Sequence, residues 1–408
     1  MYPAIYALYE NIVLKALESA KIRINKSRKD FILEIFMLYL SISGRVNFMQ
    51  LERYSQHGEQ RFRRQFEEKF DFFSFNTALC EPFCGNRTAL AIDPSFIHKS
   101  GKRTPGIGYF WSGCAGKSLR GLEILSLSLI DADSRMSYHL NATQTPPVPC
   151  LQDNNLTLAD WYAAVVKHYI EQIRILTNYL VADAFFSKKG FVDEILNSGL
   201  HLVCKLRDDA DLRYLNRQQM SGKRGRPAKY SGKIDPKNLD ITYFEEVKNN
   251  RGINAKAAVV YSKSLQMEIL VVVEELIIHG KPTYRLLFST DVNQSPIDVI
   301  DIYHTRFQME FGFRDAKQAT GLEHSQARSI NKLDFHFNTA LTAVNIAKMM
   351  QLNDEDTREL PFSIKNCKIL FSNAMMLSLF FDKFGKIPNT AKNQDYINEL
   401  LYFGIRAV

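Results

Sequence analysis

Tryptophan is scarce in this 408-residue chain, with single copies at Trp111 and Trp161. Cysteine is sparse too, and six copies over such a length do not make a disulfide framework. Cys80 and Cys84 stand close together, but no second Cys/His pair at zinc spacing accompanies them, so buried thiols are expected. No uncharged apolar run reaches the length of a bilayer span, so no membrane partner is expected. The opening residues carry Glu10 and Glu18 and show no signal-peptide cleavage pattern, so a cytoplasmic location is expected. An excess of negative charge is also missing. Lys and Arg number 52 against 44 Asp and Glu, giving a net charge of +8 and a pI near 9.0. That balance suits a polyanionic partner such as nucleic acid. At 46% hydrophobic and 24% charged, the composition is that of a folded protein of two or three units.

Along the chain, residues 1–85 read as helical, expected as an N-terminal DNA-binding domain. "DFILEIFMLYLSIS" is an apolar helix, and "VNFMQLERYSQHGEQRFRRQFEEKF" reads as helix, turn at His57-Gly58, helix. The second helix carries Arg61, Arg63 and Arg64; a helix-turn-helix and a plain helical hairpin fit this pattern equally. Residues 86–207 change character. "TALAIDPSFI" is a buried strand bearing Asp93, and "GIGYFWSGCAG" and "GLEILSLSLIDA" continue it as an antiparallel meander. A helix, "LADWYAAVVKHYIEQIRIL", precedes the strand "NYLVADAFF" with Asp183, and the helix "KKGFVDEILNSG" precedes the strand "HLVCKLR". Residues 208–290 open with the basic run "SGKRGRPAKYSGK" and continue as alternating segments. They are expected as a separate β-rich insertion rather than an extension of the first sheet. Residues 291–350 are expected as the second part of the catalytic core, where helix resumes at "SPIDVIDIYHTRF" with Ser295 as N-cap, Pro296 at the first helical position and Asp298 in the first turn. Residues 351–408 read as a helical C-terminal region.

The helix over 291–350 holds "YHTRFQMEFGFRDAK", in which Tyr303, Arg306, Glu310 and Lys317 fall at offsets 0, 3, 7 and 14. At about 100° per residue these share one stripe, beside an apolar stripe of Ile302, Met309, Phe313 and Ala316 expected to be buried. Three strands, a helix, a strand, a helix, a strand and a long helix form the order of an RNase H-like α/β fold: a mixed five-stranded sheet with flanking helices. In that order Asp93 and Asp183 are neighbours at the sheet centre, and Glu310 comes from the helix packed across it. Three carboxylates so placed suit two hard divalent cations, about 3.5–4 Å apart, acting on a phosphodiester. Asp131, Asp133 and Asp291 read as turn formers instead, and His98, His324 and His336 as structural histidines.

The stripe also resembles the Tyr-x2-Arg-x3-Glu-x6-Lys signature of the DDE transposases of bacterial insertion sequences, specifically insertion-sequence family four. The resemblance continues through "IDPSFIHKSGKRTPGIGYFWSGCAGKSLRGLEI", "VADAFF" and "LLFSTD", and covers about residues 45 to 345. It implies a metal-binding triad of Asp93, Asp183 and Glu310 with two Mg2+ ions, or Mn2+ as substitute. It further implies DNA contacts from Tyr303, Arg306 and Lys317, cleavage at element ends, strand transfer into target DNA, and a homodimer on double-stranded DNA at the bacterial nucleoid. Lys99, Lys102, Arg103, Lys117 and Arg120 are expected as a basic rim near Asp93, and Arg224 and Arg226 as an AT-hook-like contact. Arg61 and Arg64 are expected to face DNA from the N-terminal helices. Two alternatives share these features: an endonuclease on the same fold without strand transfer, and an inactive DNA-binding remnant. In one respect the chain departs from the family: family members that cut through a DNA hairpin use tryptophans to hold a flipped base, and the 208–290 segment has none.

Overall fold

The structure, a computed structural model, describes residues 4–216, 229–248, 252–278, 280–385 and 390–406. Arg224 and Arg226 lie outside the described residues. Among the described residues, no helix is long and apolar enough to cross a membrane.

Twelve strands of the described residues join in one mixed sheet. They are β1 (Thr88–His98), β2 (Gly108–Ser112), β3 (Lys117–Asp131), β4 (Met136–Gln144), β5 (Tyr179–Ala182) and β6 (His201–Lys205), then β7 (Leu212–Leu215), β8 (Tyr230–Lys233), β9 (Glu245–Glu246), β10 (Ala255–Ser262), β11 (Met267–Ile278) and β12 (Lys281–Ser289). The order is β2-β3-β1-β5-β6-β12-β11-β10-β7-β8, with β4 also on β3 and β9 on β10. The pairs β1–β5 and β5–β6 are parallel and the others antiparallel. Its central run β4-β3-β1-β5-β6, with helices on both faces, is consistent with an RNase H-like α/β fold.

Two expectations are corrected here. The meander's second strand, β2, pairs only with the first five residues of β3, whereas β4 takes the rest of that edge from Ile124 onward. β4 escaped notice because "MSYHLNATQ" is polar where a buried strand is normally apolar. Its Ser137, His139 and Asn141 are buried nonetheless. They are tolerated because amides from the helix Ile330–Leu352 reach the strand. Asn338 accepts from the Ala142 N–H and donates to its carbonyl, and Asn345 does the same for His139. Side chains thus occupy the place of a neighbouring strand and blunt the sheet edge.

The second correction concerns residues 208–290. They are not a separate unit, because β12 pairs with β6 through Leu287–Lys205, Phe288–Cys204 and Ser289–Val203. The physical reason is two-sided burial. Leu202 and Cys204 of β6 face one apolar layer and Val203 the other, and Val271, Val273 and Leu270, Val272 of β11 divide the same way. A strand buried on both faces leaves backbone groups unsatisfied unless both edges are paired. An ion-pair cluster adds a tie: Glu274 of β11 contacts Arg285 of β12 and His304 of the helix Pro296–Arg306.

One face of the sheet packs on the helices Leu158–His168, Ile170–Leu176 and Lys189–Asn197. The other carries Pro296–Arg306 through Val299, Ile300 and Ile302. The helices Ala4–Ser19, Lys26–Ser41 and Phe72–Cys80 share one apolar core with Ile330–Leu352 and Ile364–Phe384, through Phe31, Phe36, Phe75, Phe335, Val344 and Phe371.

Asp334 sits half-buried against this helical core with no salt bridge among the described residues, and desolvation, opposed by Lys69, holds its carboxyl at about 6 instead of 3.8. The unfolded chain releases that proton near pH 4 and the folded chain only near 6, so stability declines as pH rises across that interval. Asp334→Asn is therefore expected to match the parent near pH 4 and exceed it by about 1–3 kcal/mol above pH 6. Urea unfolding at both pH values checks this; an equal difference at the two would rule out titration as the cause.

Candidate active site

The last registered pair between β1 and β5 is Ala91–Val181. Two residues further along each strand stand Asp93 and Asp183, so both project from the face that Ala91 and Val181 share. Asp183 lies just past the end of β5, where its carboxylate caps a short 3-10 turn by accepting from the Phe185 N–H at 3.0 Å. The helix Pro296–Arg306 crosses the same face. It ends at Arg306, turns at Phe307, and restarts as Gln308–Asp315 with Glu310 in its first turn.

Arg306 joins the acidic groups. Its guanidinium is 3.2 Å from Asp93 and 3.7 Å from Glu310, and it lies against the Tyr303 ring at 5.7 Å. Its Nε is buried with no hydrogen-bond partner among the described residues. Burial, opposed by Arg306 and reinforced by the charges of Asp183, Glu310 and Glu123, raises the Asp93 carboxyl to about 7. Burial and Asp183 likewise raise Glu310 against the pull of Arg306. Carboxylates in this condition lack enough compensating positive charge, which a bound dication would supply. The oxygen donors suit Mg2+ or Mn2+. As placed, no three His, Cys, Asp or Glu side chains among the described residues stand close enough to share one ion. Arg306 reaches both Asp93 and Glu310.

The expected apolar stripe is present, with Ile302, Met309, Phe313 and Ala316 all buried. The polar stripe is not a single straight ladder. Phe307 breaks the helix, and Ala316–Thr320 widens into a π-turn, a distortion frequent at functional sites. Lys317 sits on that π-turn and donates to the Phe96 carbonyl at 2.7 Å, so it reaches β1 three residues beyond Asp93. Gly321 closes the turn at φ +77°, where a Cβ would come within 2.9 Å of Val46.

Other expected contacts are placed differently. Lys99 is turned inward, donating to the carbonyls of Glu323 and Ser325 at 2.6 Å each, and burial lowers its ammonium to about 8. It clamps a loop. Arg61 pairs with Glu34 and lies over Phe31, while Arg64 is exposed on the seven-residue helix Glu59–Gln65. Asp131, Asp133 and Asp291 accept backbone or neighbouring side-chain hydrogen bonds, as turn formers do. His336 is buried between the Tyr39 hydroxyl and the Gly321 carbonyl, which makes it structural.

One group escaped the sequence reading. Glu123 is buried on the opposite face of β3, accepts from the Tyr162 hydroxyl at 2.6 Å, and bears on Asp93. Its signal was a lone glutamate inside the apolar run "LEILSL".

Fold and site together define a class: a mixed α/β protein that gathers carboxylates and an arginine midway along β1, beside the end of β5. The family model described as DDE superfamily endonuclease matches residues 76–251, which include Asp93 and Asp183 and stop before Glu310. That match supports a nuclease- or transposase-type function, with divalent metal as cofactor and DNA as substrate. No curated protein matches this chain.

Proposed function

We propose that this chain is a DNA transposase of the insertion-sequence family four type, cutting DNA at the element's ends and joining them to target DNA. The observation that carries the reading is the crowding of Asp93, Asp183 and Glu310 around Arg306, whose buried Nε has no hydrogen-bond partner among the described residues. A phosphate oxygen would satisfy that N–H, and a carboxylate trio is the donor set phosphodiester chemistry uses.

Asp93, Asp183 and Glu310 would hold two Mg2+ ions, or Mn2+, whose chemistry is to activate a water or hydroxyl and to stabilise the leaving oxygen. Arg306 and Tyr303 orient the phosphate, and Lys317 holds β1 and receives the neighbouring phosphate. Water delivers a 3′-hydroxyl end, and that hydroxyl then attacks target DNA in line. Two ends must be held together, so the acting form is a homodimer on double-stranded DNA, in the cytoplasm at the nucleoid.

The test uses the full chain, Mg2+ and DNA carrying the flanks of its own gene. Expected products are 3′-hydroxyl ends and, with added target, joined molecules. Cleavage without joining identifies an endonuclease. Binding without cleavage identifies an inactive DNA-binding remnant.

A further inference from the structure

Between Lys99 and Leu122 the chain carries Lys99, Lys102, Arg103, Lys117 and Arg120 and no aspartate or glutamate. Register shows what this segment builds. Gly121 of β3 pairs with His98, the last residue of β1, and also with Gly108, the first of β2. The hairpin from Gly108 to Gly121 therefore runs on past the end of β1 as a two-stranded arm roughly 17 Å long. Along β2, alternation sends Phe110 inward and Tyr109 and Trp111 outward together, at 70% and 61% exposure. Neither ring stacks on another ring or on a cation among the described residues. Arg120 stands directly across the ladder from Tyr109 on the ring face, whereas Lys117, across from Ser112, is exposed on the other face.

The arm flanks the site. It leaves the sheet five residues beyond Asp93, on the side where β1 and β5 end. Burial and Glu323 act most on the Lys317 ammonium, and the Cys114 thiol at the arm's tip and the Asp93 carboxylate follow. Two large exposed rings on a strand are costly in water unless something covers them. The cover must tolerate the exposed Lys102, Arg103, Lys117 and Arg120 and no carboxylate from this segment, which favours a polyanion over an ordinary protein surface.

We propose that this arm is a stacking platform for unpaired nucleotides beside the cut, with Tyr109 and Trp111 taking base faces and Arg120 an adjoining phosphate. The proposal rests on the reading of the site as a DNA-processing centre and adds the substrate feature, an unpaired stretch, that the arm would hold. Base–aromatic stacking tolerates any sequence because every base has a π face.

Trp161→Phe leaves Trp111 as the sole tryptophan and so as a direct reporter. The probes are a duplex with a short single-stranded extension and a blunt duplex of equal phosphate number. The extended duplex is expected to quench Trp111 emission, and the blunt one to bind without quenching. Trp111→Ala and Tyr109→Ala, both at exposed positions, are each expected to weaken binding of the extended duplex by about tenfold and to spare the blunt duplex. Unchanged emission on binding, or equal losses on both probes, would overturn the stacking role alone. Emission that shifts with protein concentration in the absence of DNA would assign the rings to a second copy and also overturn it. Failure to bind either probe at low salt would remove the DNA-processing reading as well.

Discussion

Cleavage of end-bearing DNA is expected to fall about a thousandfold or more when Asp93, Asp183 or Glu310 is replaced by Ala, while binding to the same DNA persists. The size follows from removing one ligand of a site that contributes several kcal/mol of transition-state stabilisation, each 1.4 kcal/mol being about tenfold. Retained binding follows from charge. The triad is acidic and repels phosphate, so its loss cannot weaken the attraction supplied by basic residues elsewhere. The fold is expected to persist in the Asp93 variant, because burial, reinforced by Asp183, Glu310 and Glu123, already pushes the Asp93 carboxyl up to about 7, and Arg306 keeps Glu310 as a partner. Filter or gel binding beside a cleavage time course separates the two quantities. Equal loss of both would assign the three carboxylates to folding, and full activity in any one variant would remove that residue from the site.

Arg306→Ala is expected to lose both cleavage and, in metal-free buffer at pH 8, about 2–3 kcal/mol of stability. Its guanidinium is the nearest cation to Asp93 and also reaches Glu310, and both members of the Asp93 pair are largely buried. Without it, an ionised Asp93 faces Asp183 and Glu310 with no counter-charge. Some solvent still reaches the pair, which is why the figure lies below the full cost of an unpaired buried charge. The double variant Asp93→Asn with Arg306→Ala should recover most of the loss, since the pairwise interaction is gone from both sides. A purely additive cycle would show that Arg306 acts independently of Asp93. Arg306→Lys is expected to restore part of the stability and little cleavage, because an ammonium cannot present the two-pronged donor that spans Asp93 and Glu310.

Periodicity in the sequence reached much of this site. Asp183 follows an apolar strand as expected and Asp93 sits midway along one that runs on to His98, while the apolar stripe Ile302, Met309, Phe313 and Ala316 is buried as its spacing implies. What periodicity missed lies where a side chain's partner is far away in the chain. Lys99 looked like a free cation because the carbonyls that hold it belong to Glu323 and Ser325. Arg61 looked outward because Glu34 sits on a different helix. β4 looked like a loop because its polar residues find Asn338 and Asn345 two hundred positions later. The merging of 208–290 into the main sheet was hidden for a related reason. The continuous apolar run in β11 identifies a strand buried on both faces, but not which strand lies at its edge. The π-turn at Lys317 left no trace in residue spacing, since a regular helix was assumed throughout.

The distant pairings also set an order of events at the ribosome. Tyr39 bonds to His336, and Lys368 donates to the Tyr39 carbonyl, across sequence separations of 297 and 329 residues. Phe31 and Phe36 of the helix Lys26–Ser41 meet Phe62, Phe66 and Phe75 soon after they emerge, but Phe335 and the other partners on the helices Ile330–Leu352 and Ile364–Phe384 are made much later in the chain. At roughly 5–20 residues per second, those apolar side chains wait on the order of 15–60 s for their later partners. During that interval the segment is covered only by its nearby aromatic partners, so the nascent chain exposes apolar surface until the helices Ile330–Leu352 and Ile364–Phe384 have been made.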